Sequence, residues 1–213
     1  MNELIDNILT GGVAVALIGL VTQLILWYLN NKKDESVDIP TEPATMNSTQ
    51  FENKIEVQQI VERVMVNTGV NRFLVMKTEN SGGKPRLGTH LYASVLYESV
   101  KPPLVSVKDD YQRLLVDDIY VRMLSDIGPG TANKLKVSDM KDGILRNIYL
   151  VEGIRYSEIH YLWETDSAFF YASIATNDED SSFDEPLDRV EIEIAISKIR
   201  EIFKKITEGT YDK

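Results

Sequence analysis

Apolar residues run without an interrupting charge from Gly11 to Leu29, GGVAVALIGLVTQLILWYL, whereas the rest of the chain alternates short apolar runs with polar ones. No charge stands between Asp6 and Lys32. At about 1.5 Å per residue, such a segment crosses a hydrocarbon core of roughly 30 Å. The pattern predicts a membrane anchor over residues 1–31, with the span at about 8–30. A cleaved signal peptide fits poorly: the leader MNELIDN carries Glu3 and Asp6 but no base, and the segment ends in Leu26, Trp27, Tyr28 and Leu29 rather than in small residues. Residues 32–49 follow as a polar linker with Pro40 and Pro43.

Beyond the linker the periodicity changes from element to element. A helix is predicted from about Gln50 to Asn67, capped by Ser48 or Thr49, with Phe51, Ile55, Ile60, Val61, Val64 and Met65 broadly on one side. Strands are predicted over Asn71–Thr78 and Leu91–Tyr97, joined by the loop ENSGGKPRLGTH, with a short strand at Leu104–Val107 after the Lys101–Pro103 break. A helix over Asp109–Ser125 would bury Tyr111, Leu114, Leu115, Ile119, Met123 and Leu124. A turn at Ile127–Asn133 and a helix capped by Ser138 and reaching about Tyr149 come next. Ile154–Trp163 and Ala168–Thr176, rich in β-branched and aromatic residues and separated by ETDS, form the strongest hairpin signal. Pro186 opens a long helix to about Thr207, with Leu187, Val190, Ile194, Ile199, Ile202, Phe203 and Ile206 expected to be buried and Gly209 closing it. The fold class is α+β, an N-terminal transmembrane helix followed by a domain over 50–208 with a central, mainly antiparallel sheet and helices at both ends, then a tail at 209–213.

Composition narrows the chemistry. The formal charge of −10 argues against nucleic acid as a partner, since phosphates need a basic surface. There is no cysteine, which excludes disulfides, thiol catalysis, thiolate metal sites and thioether-linked chromophores. Lys32 and Lys33 flank the span while the leader holds no base, so the positive-inside rule predicts a single-pass cell-membrane protein with a cytoplasmic domain. Within the span, Gly12, Ala16, Gly19 and Gln23 share one helical face, where small residues and a polar group favour close association of two helices.

The element order over Phe51–Ile206 resembles a GAF domain, a small-molecule sensing module of signalling proteins. Gly153–Thr176, GIRYSEIHYLWETDSAFFYASIAT, is similar to the family's final hairpin, and Arg72–Glu98 to its opening strands with an enlarged loop. The resemblance implies terminal helices paired on one sheet face and a ligand on the other; PAS-like and other profilin-type folds fit nearly as well. Chromophore attachment and sulfoxide reduction in that family use cysteine, so neither carries over, and the pattern of the cyclic-nucleotide-binding members is not found. A binding or scaffold role is what the resemblance implies, with no cofactor.

Three constellations are candidates for chemistry. Gly82, Gly83, Lys84, Arg86 and Thr89 lie in one loop, where free amides and two cations can hold a small anionic ligand; a mobile turn with solvated charges is the alternative. It is not a P-loop, because Pro85 follows Lys84. Glu158 and His160 share a strand face, as a structural hydrogen-bonded pair or, alternatively, as metal or acid–base groups. Tyr92, Tyr97, Tyr156, Tyr161 and Tyr171 line sheet faces. The acidic run Asn177–Glu185 reads as a solvated loop; it lacks the ligand spacing and central glycine of an EF-hand. No catalytic residue and no metal centre is assigned.

The sequence thus predicts a membrane-anchored sensory, regulatory or scaffold domain with no output module behind it. It would act by small-molecule or protein binding and by homodimer or homo-oligomer formation at the lipid bilayer. The alternative is a lysis protein: the architecture and length also resemble the one-span phage holins of T-even type, in which the transmembrane helix oligomerises into a membrane lesion.

Overall fold

The computed structural model describes residues 48–178 and 183–208. The predicted span, with Gly12, Ala16, Gly19 and Gln23, lies outside them, as do Gly209 and the tail. Among the described residues no helix is long and apolar enough to cross a membrane.

The elements are α1 (Ser48–Asn67), β1 (Arg72–Glu79), β2 (Leu91–Val100), β3 (Leu114–Val116), α2 (Asp118–Ser125), β4 (Ala132–Lys136), α3 (Ile144–Val151), β5 (Tyr156–Glu164), β6 (Phe169–Thr176) and α4 (Pro186–Glu208). The six strands form one antiparallel sheet in the order β3-β2-β1-β6-β5-β4. Side chains alternate across it, as strand geometry requires. Phe73 and Val75 of β1 and Ala172 and Ile174 of β6 pack with Val57, Val61, Val64 and Met65 of α1 and Ile192, Ala195, Ile196, Ile199 and Ile202 of α4. Leu74, Met76, Ile159, Phe169 and Tyr171 face the other way, under α2, α3 and the connections around them. Both faces are therefore covered, which is why the central strands read as continuous apolar runs.

α1 and α4 run antiparallel. Arg63 of α1 makes a two-pronged ion pair with Glu191 of α4 (2.8 and 3.1 Å), and the Gly69 amide at the end of α1 donates to Asp188 (3.2 Å). The C-terminus of one helix thus lies at the N-terminus of the other.

Several expectations need correction. Leu104–Val107 is not a strand: the Glu98 carboxylate binds the amides of Val107 (3.0 Å) and Lys108 (2.9 Å), holding that segment as a loop against β2. The helix expected over Asp109–Ser125 is cut to its second half. Arg113 adopts a left-handed φ of 55° and Leu114–Val116 pairs with Leu91–Ala93, so long-range strand pairing displaces the helical register, and Leu115 is exposed. Ser138 caps no helix through Tyr149; its hydroxyl bonds Asp139 (2.7 Å), and α3 starts only after Gly143. The turn predicted to end at Asn133 ends earlier, because Ala132 already pairs with His160 as β4. On α4 the buried face is Ile192, Ala195, Ile196, Ile199 and Ile202, leaving Leu187, Val190, Ile194 and Ile206 exposed, and Ile55 of α1 is exposed too. Of the predicted face Ile199 and Ile202 are buried and Phe203 packs against the core, while Leu187, Val190 and Ile194 lie on another side of the helix, because α4 packs beside α1 as well as over β5.

Candidate functional site

The sheet face opposite α1 and α4 is roofed by α2 and α3, and one residue fastens both. Asp117 accepts from the Tyr120 amide at the start of α2 (2.8 Å) and from the Ile144 amide at the start of α3 (2.6 Å). Gly143 is needed between them, since a Cβ there would lie 2.9 Å from the Asp117 Oδ2.

Beneath this roof the space is filled by the protein's own tyrosines. The hydroxyls of Tyr120 and Tyr171 meet at 2.7 Å, and that of Tyr149 bonds Ser157 (2.9 Å) and Ser173 (3.3 Å). Burial raises all three phenols, so they stay neutral hydrogen-bonding groups. At one end Arg72, buried on β1, pairs with Glu98 (3.4 Å) and Glu152 (3.1 Å) and donates to the Val105 carbonyl. Its Nε is close to Glu98 without hydrogen-bond alignment. Tyr111 donates to Glu152 (3.0 Å), and burial together with that carboxylate raises its phenol. What remains open is a cavity of about 30 Å³ among Arg72, Met76, Tyr111, Tyr120, Tyr149 and Ser173. That volume holds about one water, whereas small-ligand pockets commonly run to roughly 300–1,000 Å³.

A second polar cluster sits on the helix side. Glu158, with a side chain 0 % exposed, receives two hydrogen bonds from Arg189 of α4 (2.6 and 2.7 Å) and lies 3.0 Å from the His160 Nε2 and 3.2 Å from the Tyr156 hydroxyl. Burial alone would raise this carboxyl, but the hydrogen bonds from Arg189 and His160 outweigh it and hold it at about 2. The pair read from the sequence is thus the centre of an ion cluster that pins α4 to β5. Asp184 joins it through Lys134 and Arg189, and Phe183 packs on Tyr156 with ring centroids 5.3 Å apart. The described part of the acidic run, outside residues 179–182, is therefore anchored rather than simply solvated.

The loop with Gly82, Gly83, Lys84, Arg86 and Thr89 joins β1 to β2. Gly82 and Gly83 take left-handed φ values of 59° and 94°, Thr89 donates to the Arg86 carbonyl (2.7 Å), and Lys84 and Arg86 are exposed. The two cations are brought onto one loop but not into the cavity or the Glu158 cluster. Sequence reading missed Arg72, Glu98 and Glu152. The available signal was a charged residue heading or ending an apolar strand, at Arg72 in RFLVM and Glu98 in LYES.

Backbone comparison with solved structures decides the fold. The chain matches GAF3 of Slr1393 from Synechocystis sp. PCC6803, in its photoproduct state, with a TM-score of 0.55 at 10 % identity, covering 76 % of this chain and 99 % of that one. The chain has a GAF-like fold. The GAF domain of a two-component sensor histidine kinase from Bacillus halodurans gives 0.52 at 7 % identity, covering 74 % of this chain and 97 % of that chain. The red/green cyanobacteriochrome NpR6012g4 in its red light-absorbing state gives 0.53 at 11 % identity over 76 % and 96 %. No family model matches the sequence, and no curated protein matches it. The likeness lies in the path of the backbone.

Proposed function

We propose that this chain is a membrane-anchored, GAF-like regulatory or scaffold domain that works by protein contact and self-association and catalyses no reaction. The filled face supports this reading most directly: a cavity of about 30 Å³ is far smaller than the pockets that hold small-molecule ligands. The surface supplies the complementary feature. Leu187, Val190 and Ile194, exposed by 82 %, 53 % and 41 %, follow one another at helical spacing along the first turns of α4. An apolar stripe of this kind marks a contact surface. The span at 8–30 would supply the tether, and Lys32 and Lys33 beside it support a cytoplasmic domain by the positive-inside rule.

Because the native chain has no cysteine, a single introduced one reports on its own position. In native membranes, Val190→Cys is expected to crosslink the full chain into a homodimer, while Asp142→Cys, on a highly exposed residue beside α3, leaves it monomeric. Equal crosslinking at both positions, or at neither, overturns self-association through this face. The Asp142→Cys thiol, exposed and away from that face, tests topology: protection from an impermeant maleimide in intact cells, with labelling once the cells are permeabilised, is expected. Labelling from outside would overturn the cytoplasmic placement and bring the lysis-protein reading forward.

A further inference from the structure

The sheet extends one strand beyond the helix that covers it. α4 packs over β5, so edge strand β4 stands beside the helix rather than under it, and an open groove of about 460 Å³ runs between them. Its walls are Thr131 and Lys134 on one side and Glu193, Ser197 and Arg200 on the other, with His160 between. Glu193, Ser197 and Arg200 follow at steps of four and three, so one helix face presents all three to the groove.

Arg200 supplies the cation on the helix wall. Its guanidinium donates through one terminal nitrogen to the Tyr161 carbonyl (3.2 Å) and lies 5.8 Å from the Tyr161 ring centroid, so the fork is held at the groove by contacts that leave its charge without a carboxylate among the described residues. A planar guanidinium fork matches the two oxygens of a carboxylate or phosphate. Lys134 stands opposite, its half-exposed ammonium paired with Asp184 and 4.0 Å from the Glu158 carboxylate, and adds a second cation to the groove wall. Glu193 on the same wall disfavours a polyanion and offers an acceptor to an amine or hydroxyl.

We propose that this groove binds a small soluble organic anion, with its phosphate or carboxylate on Arg200 and Lys134 and an amine or hydroxyl toward Glu193. This site lies on the opposite side of the sheet from the tyrosine-filled face. Occupancy would bridge α4 to β4 and so bear on the helix that carries the exposed stripe.

The test is equilibrium dialysis of the full chain in nanodiscs of phosphatidylcholine alone, with inorganic phosphate and O-phosphoserine as probes at constant ionic strength. Both are expected to bind saturably, phosphoserine the tighter. Arg200→Gln should weaken both about tenfold or more, and Glu193→Gln should erase the advantage of phosphoserine alone. Lys134→Ala, at a half-exposed side chain, gives a second measure of the anion contact should Arg200→Gln misfold, and should also weaken both probes. Absence of binding, or binding unchanged in Arg200→Gln and Lys134→Ala, overturns the proposal. A groove that takes only a lipid headgroup would leave the free probes unbound and overturn it as well.

Discussion

Replacing Glu158 by glutamine removes one negative charge from beneath α4 while keeping the side chain's shape. In the folded chain that carboxyl is held at about 2 against an ordinary 4.5, which corresponds to about 3 kcal/mol of stabilisation at neutral pH. The figure agrees with the roughly 3–5 kcal/mol expected when one partner of a buried ion pair is removed. For a domain of this size each kcal/mol moves the melting temperature by about 2–4 °C, so Glu158→Gln should melt about 6–12 °C below the parent at pH 7. The sign of the pH dependence follows from the depressed value. The unfolded chain binds the proton first as pH falls, so the contribution is complete above 4.5 and is lost as pH drops toward 2. By about pH 3 the difference between variant and parent should shrink to less than half. Thermal unfolding of the full chain, followed by circular dichroism at both pH values, reads this directly. The remaining carboxylates titrate in both proteins and cancel in the difference. Equal melting temperatures at pH 7, or a gap that does not narrow on acidification, would refute the reasoning. The complementary change Arg189→Met strands the carboxylate, and adding Glu158→Leu to it should recover part of the loss.

Three other outcomes test the filled face. Tyr171→Phe leaves the Tyr120 hydroxyl buried without its 2.7 Å partner and should cost about 1–3 kcal/mol by urea unfolding, whereas the Tyr120→Phe/Tyr171→Phe double variant should cost less than the sum of the singles. Arg72→Met leaves Glu98 and Glu152 facing each other without their cation and should lower stability by about 3–5 kcal/mol, measured by the urea midpoint. Asp117→Ala removes a cap from α2 and α3 together, for about 1–4 kcal/mol, and should speed hydrogen exchange in both helices while leaving that of α1 and α4 unchanged.

The sequence by itself determined the α+β class, the β5–β6 hairpin and the two long terminal helices. Each of these is written in a local period: alternation or unbroken β-branched runs for strands, and steps of three and four for helices. Glu158 and His160 were legible as a pair for the same reason, because residues two apart share a strand face. Only the tertiary structure decided the rest. LLV at Leu114–Val116 carries helical and strand character equally, and its pairing with β2 made the choice. Arg72 meets Glu152 across 80 positions of sequence, a contact set by strand register and the placement of α3 and invisible to any local period. Whether Leu187 and Val190 are buried depended on which side of α4 turned toward α1 and the sheet, and they lie well round the helix from the buried Ile192, Ala195, Ile196, Ile199 and Ile202. The fullness of the sheet face, on which the functional reading turns, is likewise a sum over side chains from strands and helices far apart in sequence. Local sequence specifies which faces are apolar; how closely those faces meet is settled only when they pack.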